Sequence, residues 1–120
     1  MAVKYMQIVN IDEYQQKNDN LAWEYEVSLG AISTSDWLLI PINVHDISVA
    51  LVFSATAVAK VQMTNNLIAD VISGTGIVPF DWTSGAVSIN TEDAMFPVTA
   101  IRLNVTGWTS GTVKMLVRAQ

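Results

Sequence analysis

Residues 98–120 read VTAIRLNVTGWTSGTVKMLVRAQ, and the period of their side chains decides the fold class. Ile101, Leu103 and Val105 fall on one side of an extended chain, and Arg102, Asn104 and Thr106 on the other. After a break, Val113, Met115 and Val117 alternate with Thr112, Lys114, Leu116 and Arg118. A two-residue period is that of a half-buried strand, and the apolar residues do not recur at the spacing of a helix face. Val, Ile and Thr dominate both arms, as strands favour. The intervening Gly107-Trp108-Thr109-Ser110-Gly111 holds two glycines able to take positive φ, so the segment is expected to form a β-hairpin.

The same logic runs outward through the chain. Residues 3–9 suit a first strand, and the Asn- and Asp-rich residues 10–20 a loop. Trp23, Tyr25, Val27 and Leu29 alternate with Glu24, Glu26 and Ser28 in an amphipathic strand. Residues 37–44 are apolar on both parities, and Pro41, which has no ladder donor, marks an edge or a bulge. Odd positions from Ile47 to Met63 are apolar in one unbroken phase. That run is too long for one strand of about five or six residues, so a break is expected near Ala55-Thr56-Ala57. Leu67–Ser73 reads as a further strand. Residues 77–82 read as a short extended piece, and residues 83–95 as a loop with at most a small strand at 86–89. About eight strands, spaced near ten residues with turn signals between them, and no long helix imply one all-β domain over residues 1–120. The expected architecture is an antiparallel β-sandwich, jelly-roll-like.

Composition narrows the function classes. The chain of 120 residues has no cysteine, which excludes disulfides and thiolate metal ligation. A net charge of −5 with scattered Lys and Arg argues against nucleic-acid binding. The longest uncharged apolar stretch, Ile47 to Ala59, is broken by Ser and Thr and is too short for a membrane helix. The first residues lack the long apolar run of a signal peptide, so a chain soluble when made, with no membrane partner, is expected.

Chemistry-bearing residues are sparse. His45 is the single histidine, and its neighbour Asp46 would point to the opposite face of a strand; the pair reads as a corner rather than a catalytic dyad. The acidic pairs Asp12-Glu13 and Glu92-Asp93 lack the spacing of a calcium loop and read as solvated loop charge. Glu24 and Glu26 share one strand face, as the two carboxylates of a glycosidase would, but more simply they are solvated. Ser73-Gly74-Thr75-Gly76 lacks the Lys and helix of a phosphate loop. No catalytic residue, metal ligand or cofactor is assigned, and an enzyme is not expected. Trp23 belongs to an inward set. Trp82 and Trp108 sit beside loops, where they either pack or anchor a partner.

What the middle of the chain lacks is more informative. From Val27 to Thr91 there are five charged residues, Asp36, Asp46, Lys60, Asp70 and Asp81. An average composition would place about sixteen there. Surfaces depleted in charge are characteristic of interface cores, and strand edges without Lys or Glu invite pairing with other chains. The candidate interface residues are Val52, Val58, Trp82, Trp108 and Leu116.

Thr99–Thr106, the Thr-Ser-Gly of Thr109–Gly111, and Val113 onward form a segment that resembles the C-terminal part of small β-rich virion proteins of tailed bacteriophages. The likeness covers residues 96–120, about a fifth of the chain. It implies a capsid decoration or cement subunit, a homotrimer or another oligomer bound to the major capsid protein or other virion proteins. Its place would be the virion, after assembly in the host bacterial cytoplasm. A tail, baseplate or fibre-associated protein with a carbohydrate-binding role is the alternative, and a small hydrolase comes third. The resemblance supplies no functional residues.

Overall fold

Ile101, Leu103, Val105, Val113, Met115 and Val117 are all buried, as their alternation requires, but the two strands that carry them do not pair with each other. The computed structural model describes residues 3–10 and 21–120. The polar segment 11–20, with Asp12-Glu13, lies outside the described residues. The strands are β1 (Val3–Tyr5), β2 (Gln7–Asn10), β3 (Leu21–Leu29), β4 (Ser33–Thr34), β5 (Trp37–Leu39), β6 (Ile47–Phe53) and β7 (Ala57–Thr64). A short helix α1 (Ile68–Ser73) follows, then β8 (Phe80–Asp81), β9 (Thr91–Met95), β10 (Ala100–Trp108) and β11 (Val113–Ala119).

One sheet runs β1-β5-β10-β7-β8, with β4 also on β10; the other runs β2-β3-β11-β6-β9. Apart from the parallel β1–β5 pair, every pairing among the described residues is antiparallel. The principal strands form two interleaved four-stranded sheets, β5-β10-β7-β8 and β3-β11-β6-β9, joined by a chain that crosses repeatedly from one to the other. This is the jelly-roll arrangement of a two-sheet sandwich. The first strand expected over residues 3–9 is divided. Met6, buried, is the point where the chain passes from the first sheet to the second.

The expected C-terminal hairpin is therefore corrected to an arch. β10 is flanked by β7 on one side and by β5 and β4 on the other, while β11 lies between β3 and β6. Alternation reports which face of a strand is buried and is silent on its neighbour; two strands facing each other across a core give the same pattern as two side by side. The β6–β7 connection behaves likewise. Its break falls at Ser54–Thr56, as the sequence implies, and odd positions stay inward on both sides because the chain folds from one inner face to the other. The two arches nest. Thr109 N and Ser110 N donate to Thr56 O at 2.9 and 3.2 Å, and Ser54 N donates to Thr112 O at 3.0 Å. Gly111 sits at φ 79°, and a Cβ there would lie 2.6 Å from both Ala55 Cβ and Ser54 Oγ, so only glycine fits this crossing.

Three further expectations change. The strand expected over Leu67–Ser73 is instead the helix Ile68–Ser73, closed by Gly74 at φ 73°, whose N–H donates to Asp70 O and Val71 O. Val71 is its one buried side chain, and it packs on Trp37 and Ala100 outside the first sheet. Full burial of such a valine contributes about 1.5–3 kcal/mol. This also explains why β5 is apolar on both parities: Leu38 faces the sandwich core, and Trp37 faces α1. The loop expected over 83–95 contains the edge strand β9, whose residues Thr-Glu-Asp-Ala-Met have weak strand preference and are held by register with Ile47–Leu51. Within the same loop, Val87 does bridge Ala59.

Candidate interaction surface

The five expected interface residues do not form one patch. Trp82 is corrected outright: it is 2% exposed, belongs to the central core and donates its indole N–H to Gly85 O at 2.6 Å. A large apolar body with one satisfied polar atom is core material. Val52 and Leu116, each 37% exposed, are diagonal neighbours on the outer face of the second sheet, because Leu116 pairs with Ala50 and Val52 with Lys114. Val58 lies on the outer face of the other sheet, opposite Gly107. Trp108 stands at the arch end, half-exposed, its indole N–H held by Gly111 O at 2.9 Å.

The largest apolar exposure lies elsewhere. Phe96 is 87% exposed, and it shares a groove of about 340 Å³ with Met63, Phe80, Pro97 and Val98 beside the open side of β8. Leu67, Ile68, Ile72 and Val78, all exposed, belong to the α1 segment next to it. Asn66 fixes this segment. Its Oδ1 accepts from Thr64 Oγ1 at 2.8 Å and from Val78 N at 2.9 Å, and its Nδ2 donates to Gly76 O at 3.0 Å. With about 150–250 Å² per aromatic side chain, Phe80 and Phe96 alone leave on the order of 300 Å² of apolar surface in water. Ten of the fifteen large hydrophobics exposed in the described residues fall between Val27 and Thr91, the charge-poor stretch. Sequence reasoning missed Phe80 and Phe96 because neither sits in an alternating run; the aromatic followed by proline at Phe96-Pro97 was the available signal.

The remaining polar groups are engaged with one another. On the outer face of the first sheet, Arg102 Nε donates to Gln62 Oε1 at 2.9 Å, and its guanidinium lies 4.5 Å from the centroid of Trp37. Gln62 Nε2 and Lys60 Nζ both reach Asp81, at 3.3 and 3.1 Å. Burial lowers the Arg102 pKa from its usual value. This network ties β10, β7 and β8 together.

A second recess, of about 670 Å³, opens where the chain changes sheet at Met6. Lys4, Tyr5, Glu24, Tyr25, Glu26 and Arg118 are among its lining residues. Glu24 and Glu26 share the outward face as expected, and Glu26 pairs with Lys114 at 3.1 Å. Burial, and then the charge of Asp36, raise the Tyr25 pKa above 10.0. His45 is an exposed corner residue whose backbone N–H donates to Gln120 O at 2.7 Å. Asp93 accepts from Ser84 Oγ at 2.9 Å, and among the described residues no three His, Asp or Glu side chains converge.

No family model matches the chain, and no curated protein is similar to it. Among solved structures, a chain reported under "Bacillus endospore appendages form a novel family of disulfide-linked pili" is similar in backbone course. The match covers 96% of this chain and 89% of that one, at 11% identity and a TM-score of 0.43. A likeness of that size carries no statement about function.

Proposed function

We propose that this chain is a structural subunit that works while held against other proteins, and that its setting is the decoration of a tailed-phage capsid. One observation carries the reading: the apolar groove around Phe80 and Phe96, on a surface with few charges. Soluble monomers seldom leave contiguous apolar patches beyond a few hundred Å² uncovered. The phage setting rests on the resemblance over residues 96–120. Sixteen of those twenty-five residues form β10 and β11, and eight of the sixteen are buried in the core, so the likeness speaks first to the sandwich and second to the particle. The subunit's mechanism is bridging by apolar contact, with the interlocked arches keeping each copy rigid.

Copy number in purified particles tests this. A decoration subunit is present in hundreds of copies, and cryo-EM places it on the shell; a handful of copies at the tail, or none, refutes the capsid setting. The tail-associated, glycan-binding reading is favoured by one feature, the recess that offers Tyr5, Tyr25, Glu24, Glu26 and Arg118 together. Glycan-array binding that disappears in Tyr5→Ala would establish it in place of the first reading.

A further inference from the structure

β3 is nine residues long, but its partner β2 covers only part of it. The β2 register runs from Asn10↔Leu21 to Gln7↔Glu24, and the chain then leaves the sheet at Met6. From Tyr25 to Leu29, β3 is paired with β11 alone, and among the described residues its other side has no strand. The side chains of Tyr25, Val27 and Leu29 face the core and yet are only half-buried. Backbone pairing and core burial are thus incomplete over the same five residues. Among the described residues the run Tyr-Glu-Val-Ser-Leu itself carries no Lys, Pro or bulge, and its one charge, Glu26, is answered by Lys114.

We propose that this edge pairs with the same edge of a second copy, two-fold and antiparallel, with Val27 facing Val27. The sequence is self-complementary in that register. Tyr25 meets Leu29 on the core side, and Glu26 meets Ser28 on the outer side, so no like charges oppose each other. The paired run ends where it must. The next step would set Gly30, the smallest residue, against Glu24, where β2 takes over. The two second sheets then become one continuous sheet, an isologous contact that closes and does not propagate. This inference rests on the reading of the chain as an assembly subunit, and supplies its self-contact.

The absence of cysteine makes a direct test available. In the full chain, Val27→Cys and, as a control on the outer face of the same sheet, Ser48→Cys are oxidised at tens of micromolar, with far-UV CD confirming the fold. The proposal expects covalent dimer from Val27→Cys at about tenfold the yield from Ser48→Cys; equal yields overturn it. A charge pair gives a second arm. Ser28→Glu faces Lys114 within its own sheet but Glu26 across the two-fold, whereas Ser28→Lys reverses both relations. The proposal expects the dimer dissociation constant to rise about fivefold in Ser28→Glu and not in Ser28→Lys, opposite to their order in monomer stability. If both arms fail while the wild-type chain still exceeds monomer mass, this edge is wrong and the assembly reading stands. If the wild-type chain is monomeric and absent from particles, both fall.

Discussion

The second sheet ends in two edges that are treated in opposite ways. At the β9 edge, Asp93 pairs with Val49, whose side chain is buried, so its carboxylate sits on the core side of an outermost strand. Ser84 holds that carboxylate at 2.9 Å, and Glu92 beside it adds an exposed charge. An inward-pointing charge on a short edge strand is a recognised defence against edge-to-edge association. At the other end, among the described residues, no strand pairs with the outer side of Tyr25–Leu29, the apolar side chains there are half-buried, and the run carries no inward-pointing charge. One sheet thus closes one of its ends to other chains and leaves the other available. Inward-pointing charge is placed selectively, at the β9 edge and not along Tyr25–Leu29.

Both edges depend on β11 lying in the middle of that sheet, which the nested arches enforce. Gly111→Ala should therefore have the largest effect. It places a methyl group 2.6 Å from Ala55 Cβ and strains a φ of 79°. A loss of about 2–4 kcal/mol, read from urea denaturation, is expected. An unchanged midpoint would show that the crossing is loose and the edges are not fixed by it.

Removing the guard comes next. Asp93→Val should leave folding stability within about 1 kcal/mol, because the charge sits at a half-exposed edge, while light scattering at a given concentration rises severalfold as a second edge becomes sticky. Installing a guard on the opposite side sharpens the contrast. Val27→Lys should leave a folded monomer at concentrations where the wild-type chain self-associates, as read by sedimentation velocity. The smallest effect concerns pH. The folded state favours the protonated Tyr25 phenol, so that contribution is complete below pH 10 and is lost as pH climbs through the raised pKa. Stability of the wild-type chain should fall more across this alkaline range than that of Tyr25→Phe, measured by denaturant midpoints on either side of pH 10.

Much of the sandwich was legible because burial on one face writes a period of two into the sequence. Ile101, Leu103, Val105, Val49, Leu51 and Val61 announce their side of the core in that way. Neighbour relations leave no such mark, so an arch passed for a hairpin. A short apolar run such as Ile68–Ser73 fits helix and strand alike, and only Gly74 carried the helix signal, as a C-terminal cap. β9 was hidden because its pairing, and not its own residues, makes it a strand. The interface was the least legible part. Val52 and Leu116 were found on one face, but Trp82 went inside, and the exposed Phe80 and Phe96 lie outside any alternating run. The unguarded length of β3 follows from where β2 stops, which no residue on β3 records.

Sedimentation equilibrium of the full chain, from about one to a few hundred micromolar, decides whether the open edge of β3 joins two copies. The mass should climb from 13.1 kDa toward twice that value as concentration rises, with the shift abolished in Val27→Lys. A mass that stays at 13.1 kDa across the whole range, with no precipitation, would contradict that pairing.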